Sequence, residues 1–113
     1  MSHLPSSIKK ISLFNVTSNT TIVIPKGHVI IDIIIENTTA NIVTGGIKIG
    51  TTSGGIDVIV ALPVGANSLS TVLSADILKR VFSKSSDQTL YVETVTLWNS
   101  SNLNIDFLVS KII

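Results

Sequence analysis

The side chains able to do chemistry are few and widely spaced along this chain. Nucleophilic catalysis needs a base beside the attacking group, usually histidine. The chain has two histidines, His3 near its start and His28 beside the turn glycine Gly27. None of its fifteen serines stands in a Gly-x-Ser-x-Gly elbow. The seven carboxylates are Asp32, Glu36, Asp57, Asp76, Asp87, Glu93 and Asp106. Asp32 and Glu36 share one parity, but in an extended chain their α-carbons lie roughly 13 Å apart, wide for a glycosidase pair. Solvated or interfacial polar groups account for them better. No cluster has calcium-loop or zinc spacing, and without cysteine there is no thiolate site and no disulfide. The glycine-rich run from Thr44 to Gly55 lacks the Gly-Lys-Ser/Thr order of a phosphate loop and reads as hairpin turns around a short strand. Trp98 and Tyr91 could stack a sugar, although Trp98 shares its parity with Leu90 and Val92, which favours core or interface. The expectation is a protein that is not an enzyme, with no catalytic residues, cofactor or metal.

The elements that must position these residues follow from composition. Hydrophobic residues make up 44% of the 113 residues and charged residues only 13%, about half the usual share. The mean hydropathy is +0.55. The densest apolar stretch, Ile22 to Ile35, is broken by Pro25, Lys26, His28 and Asp32, short of the ~20 apolar residues a spanning helix needs. The first residues lack the order of a signal peptide. Surfaces hidden against other subunits explain the apolar excess better than a membrane does. A net charge of +1, with Lys9-Lys10 and Lys79-Arg80 as the only basic pairs, offers no footprint for nucleic acid.

One domain is expected over residues 8–113, preceded by a polar, proline-containing arm, Met1 to Ser7. Eighteen isoleucines, with many valines and threonines and closely spaced turn signals, predict β-structure throughout. Strands are predicted over Ile8–Val16, Thr21–Ile24, His28–Asn37, Ile47–Gly50, Ile56–Leu62, Thr89–Trp98 and Leu103–Ile113, with an alternating stretch at Ser68–Leu73. Apolar residues at Ile77, Leu78, Val81 and Phe82 fall at helical spacing, so one short helix is placed near 74–82. The whole predicts an all-β fold, an antiparallel two-sheet sandwich or jelly roll of 7–8 strands.

His28–Asn37 is the most informative strand. Strict alternation would send Val29, Ile31, Ile33 and Ile35 into the core. The other face would then carry His28, Ile30, Asp32, Ile34 and Glu36, too apolar for water and too charged for a core. These five residues are the predicted subunit interface.

The run Asn37 to Thr52, with Gly54-Gly55-Ile56-Asp57-Val58, Leu78 to Ser83, Gln88 to Val92 and Trp98-Asn99, resembles short proteins encoded among tailed-phage virion genes. It is similar to the head-fibre and auxiliary capsid proteins of crAss-like phages, over roughly Thr21 to Val109. The resemblance implies a virion structural role, a β-sandwich or jelly-roll module that is commonly trimeric and sits on the capsid or in a fibre. Partners would be copies of itself and other capsid proteins, after synthesis in the bacterial cytoplasm. Heptads for a stalk are absent. The alternative is a receptor- or glycan-binding module of a fibre, using loops such as Thr51 to Gly55 or Asn99 to Asn102.

Overall fold

The computed structural model describes residues 8–71 and 76–112. The expected arm, Met1 to Ser7, lies outside them. Eight strands follow in order: β1 (Ile8–Val16), β2 (Thr20–Ile24), β3 (His28–Asn37), β4 (Ile47–Gly50), β5 (Ile59–Leu62), β6 (Leu69–Thr71), β7 (Gln88–Thr94) and β8 (Leu103–Lys111). They form two four-stranded sheets, ordered β1-β8-β3-β6 and β2-β7-β4-β5. Every pairing is antiparallel. The pairings are nested: β1 with β8, β2 with β7, β3 with β6, β4 with β5. The protein is a β-sandwich.

The core lies between the sheets and is almost entirely aliphatic. In β8, Leu103, Ile105, Phe107 and Val109 are all fully buried, while Asn104, Asp106 and Ser110 face outward, as their alternation predicts. Ile22 and Ile24 of β2, Leu90 and Val92 of β7, and Ile47 and Ile49 of β4 close the core from the second sheet. Burying each such side chain contributes about 1.5–3 kcal/mol.

The alternation of β3 breaks at one residue. Ile30 pairs with Val109 and Asp32 with Leu108, so two steps along β3 match one along β8 and Ile31 is the extra residue of a bulge. Before it, His28 and Ile30 point inward; after it, Ile33, Ile35 and Asn37 do. The expected core row is therefore corrected. Ile31 is 45% exposed and Val29 only half-buried, whereas Ile30 is fully buried. A bulge leaves two carbonyls side by side without ladder partners. Here Arg80 fills the gap, its Nη1 donating to the Ile30 and Ile31 carbonyl oxygens at 2.9 Å each.

The helix expected near 74–82 is also corrected: residues 74 and 75 lie outside the described residues, and 76–82 hold no α-helix. From Ile77 this segment crosses from one sheet to the other without regular structure until Val81. The Leu78 amide donates to the Val58 carbonyl (2.8 Å), the Ile30 amide donates to the Arg80 carbonyl (3.0 Å), and Val81 bridges Val29. Its apolar spacing reflects contact with two sheets in succession, with Ile77 buried and Phe82 packed against the core.

Because Ile30 lies inside and Ile31 outside, aspartate substitutions at these neighbours should differ sharply. Ile30→Asp buries an unpaired charge and should cost more than about 4 kcal/mol, close to the stability of an ordinary domain. Ile31→Asp should cost no more than about 1 kcal/mol. Circular dichroism melting of the two variants checks this, and comparable losses would contradict the bulge register.

Candidate functional site

The five residues of the predicted interface do not share one face. His28 and Ile30 lie inside the sandwich because they precede the bulge. Asp32, Ile34 and Glu36 follow it and lie on the outer face of the first sheet, beside Leu108, Asp106 and Asn104 respectively. That face is partly satisfied within the chain. Ser12 donates to Asp106 (Oγ to Oδ1, 2.6 Å) and Asn104 donates to Glu36 (Nδ2 to Oε1, 3.1 Å). Leu69 of β6, paired with Glu36, is 70% exposed.

A more apolar surface lies at the end of the sandwich where β8 begins, built by two segments outside regular strands. The Thr44 amide donates to the Leu97 carbonyl (2.9 Å), the Thr96 amide to the Thr44 carbonyl (3.2 Å) and the Val95 amide to the Gly46 carbonyl (3.0 Å). This pairing leaves Ile42, Val95 and Leu97 exposed at 54%, 43% and 62%. Beside them runs a cleft of about 420 Å³ lined by Ile42, Val43, Gly45, Gly46, Pro63, Val64 and Gly65. Gly46 is required there: its φ is +86°, and a β-carbon would fall 2.4 Å from the Leu62 carbonyl oxygen. The strand predicted over Thr89–Trp98 ends at Thr94, and residues 38–44 fall in no predicted strand. Ile42 and Val43 within that stretch were the signal available.

Asn37 and Ser101 anchor this end from below. Asn37 is 1% exposed and uses its whole amide. Nδ2 donates to the Asn41 (2.7 Å) and Gly65 (3.0 Å) carbonyls, and Oδ1 accepts from the Thr39 amide (3.0 Å) and hydroxyl (2.8 Å). Ser101, fully buried, donates to the Trp98 carbonyl at 2.6 Å and closes the turn formed by Asn99 and Ser100, whose φ values are 55° and 58°. Trp98 packs partly against the core and donates from Nε1 to Asn19 Oδ1 (2.8 Å). Tyr91 lies mid-strand between Thr21 and Gly50. The two aromatics thus occupy separate settings.

The glycine-rich loop after β4 folds back over the outer face of the second sheet. Glu93 of β7, only 9% exposed, accepts from the Gly54 amide (Oε1, 2.7 Å) and the Ser53 hydroxyl (Oε2, 3.4 Å). Asp57 closes the loop, accepting from the Thr51 amide (2.8 Å) and the Thr51 hydroxyl (2.6 Å). Gly50 and Gly55 meet backbone to backbone, since a β-carbon on Gly50 would fall 2.4 Å from the Gly55 carbonyl carbon. The loop is held in one shape with Thr52, Ser53 and Gly54 exposed.

Among the described residues no group of three or more His, Asp or Glu side chains stands together as a metal site would require. No helix there is long and apolar enough to cross a membrane. The fold and these surfaces invite comparison with known proteins, but no family model, curated protein or solved structure matches the chain.

The hydrogen bond from the Thr51 hydroxyl, foremost, together with backbone amides and the charge of Lys79, holds the Asp57 carboxyl below its ordinary value of 3.8. A depressed folded value means that the carboxylate supports the loop fully above pH 3.8 and loses that support as pH falls further, through the folded value. Exchange protection of the Thr51 amide should therefore fall in acid while that of Ile105, deep in the core, persists. Asp57→Asn should lower Thr51 protection at neutral pH. Equal protection of Thr51 in the variant and the parent would show that another group closes the loop.

Proposed function

We propose that this protein is a non-enzymatic structural subunit of a phage virion, a head-fibre or capsid-decoration module that assembles as a homo-oligomer, most simply a trimer. The observation that carries the reading is the apolar end of the sandwich. Ile42 lines an apolar cleft, and Val95 and Leu97 are exposed on the segment paired with Thr44 and Gly46, on a chain with only 8 basic and 7 acidic residues to keep it apart from its neighbours. A second copy is the occupant that this surface suits. Ile34 and Leu69 on the outer face of the first sheet offer a smaller second contact, flanked by Asp32 and Glu36.

Topology supports the same reading. Nested pairing of first strand with last, second with seventh, third with sixth and fourth with fifth is that of a long hairpin rolled on itself, so we read the sandwich as a jelly roll. Jelly rolls recur in capsid and lectin domains, and because one fold hosts many functions the surfaces must decide between them. The sequence resemblance to head-fibre and auxiliary capsid proteins points the same way. A second reading, binding of a host-surface glycan, is favoured by one observation: the loop 51–57 is clamped by Glu93 and Asp57 with its polar residues outward.

Light scattering after gel filtration should show an oligomer of the 12.0 kDa chain, and a clean monomer at micromolar concentration would remove the proposal. Leu97→Asp should dissociate it with circular dichroism unchanged, since that side chain is mostly exposed. If Ile34→Asp dissociates it and Leu97→Asp does not, the outer face of the first sheet is the interface. Electron microscopy of particles labelled through this chain tests the virion assignment, and a glycan array tests the second reading.

A further inference from the structure

The edges of the two sheets are not equally protected. In the second sheet, the edge strands β2 and β5 have only five and four residues, and short edges pair poorly with other chains. In the first, β6 pairs with one half of β3, while Arg80 and Val81 cover the other half. β1 differs. It has nine residues, and among the described residues it pairs with β8 alone. Its side chains show where a neighbour is missing. Ile11 and Leu13 lie in the inward row, opposite Phe107 and Ile105 of β8. Those partners are fully buried, whereas Ile11 and Leu13 touch the core and stay only half-buried. Phe14, two residues beyond the outward-facing Ser12, is 70% exposed.

Lysines on an edge ordinarily discourage pairing, and Lys9-Lys10 stands on this one. Their placement selects a register instead. A second copy related by a two-fold axis brings its β1 alongside antiparallel, matching outward residues with outward and inward with inward. An axis through Lys9 or Lys10 sets like charges directly opposite. An axis through Ile11 leaves the two Lys10 α-carbons roughly 8 Å apart on one face, still within the range of repulsion. An axis through Leu13 leaves only residues 12–14 before the bulge, where Asn15 has a φ of 55°. Ser12 avoids both faults. Residues 10–14 then pair, and Lys10 lies roughly 14 Å from its own copy. Lys10 faces Phe14, so its stem and ammonium cover the exposed ring, and Ile11 faces Leu13 to complete the inward row.

We propose that β1 is a docking edge for a second copy of this chain, joined antiparallel about Ser12 so that two four-stranded sheets become one continuous sheet. A second copy is the occupant because the edge complements itself in charge and in apolar pattern in this register. The contact goes beyond association through the apolar end and does not rest on it. The two surfaces adjoin, since Asn19 in the turn after β1 accepts from Trp98 Nε1 (2.8 Å) and from the Thr94 amide (3.2 Å). A five-residue pairing is small and transient by itself. Oligomers held at the apolar end would present several such edges at once, and pairing would link one oligomer to the next.

Because the chain has no cysteine, single cysteine substitutions report the register directly. With the thiol oxidant diamide, Ser12→Cys should form a covalent dimer, since opposed α-carbons lie about 4.5–5.5 Å apart, within disulfide reach. Lys10→Cys alone and Phe14→Cys alone should stay uncoupled, yet a mixture of the two should cross-link. Thr21→Cys, exposed on β2, is the collision control. Ser12→Cys should link at least about tenfold faster than it, because pairing raises the local thiol concentration. Circular dichroism verifies that each variant is folded. The same selectivity should persist in a Leu97→Asp background, so the edge is judged separately from the apolar end. Cross-linking of Lys10→Cys by itself would overturn the pairing, as would a Ser12→Cys rate equal to that of Thr21→Cys. Failure of both Ser12→Cys and the mixture would overturn it too.

Discussion

The arrangement of this protein depends on one extra residue in its most hydrophobic strand. β3 lies between β8 and β6, and both ends of it must feed the core. An unbroken alternation would bury either Ile30 or Ile33, never both. The bulge at Ile31 allows both to be fully buried, opposite Val109 and Phe107. The local cost is two carbonyls turned out of the ladder, which the Arg80 guanidinium offsets with charge-assisted hydrogen bonds. Arg80 in turn fixes the segment 76–82, whose backbone covers the edge of β3 that the three-residue β6 leaves open. An uncovered edge here would be a template for unwanted pairing. A single arginine therefore serves core register and edge protection together.

Nested pairing gives the two ends of the sandwich different duties. Turns that join strands at one end bring together residues far apart in sequence, and each end is tied by a buried or half-buried polar group. Asn37 does this at the apolar end, linking 39–41 to Gly65 with every hydrogen-bonding position used. A polar network buried this completely specifies loop shape, because any alternative leaves donors and acceptors unpaired. At the other end His28 occupies the same inward row, but only half of its ring is satisfied.

Much of this was legible in the residues. The limits of β3, and the buried row Leu103, Ile105, Phe107 and Val109, follow directly from period-two patterning and turn residues. Face assignment in β3 did not, because a bulge is invisible in a run of Ile-Ile-Asp-Ile-Ile-Ile, where either parity presents isoleucine. What decides it is the register against β8, a long-range pairing. The apolar spacing from Ile77 to Phe82 misled for a related reason: three- and four-residue intervals suit a helix, yet also suit a crossing chain that touches one sheet and then the next. The apolar end is not legible in the same way, since Ile42 and Leu97 lie in irregular segments more than fifty positions apart that are joined through the Thr44 bridge and its neighbouring hydrogen bonds.

Charge distribution follows the same axis. β8 runs about 27 Å from Leu103, near the apolar end, to Lys111 at the cationic one. β7 repeats the polarity, with Lys84 and Asp87 before it and Val95 and Leu97 after it. With so few charges in all, placing Lys26, Lys84 and Lys111 around one cleft concentrates a large share of the positive charge where strands end rather than along the sheet faces. Self-association through the apolar end would hide the surface least tolerant of water and leave the lysine clefts of all copies pointing away from the contact. Like charges would then be kept well beyond the ~8 Å over which they repel at physiological salt. The apolar end can therefore be buried while the exposed lysines of the cationic end stay in water.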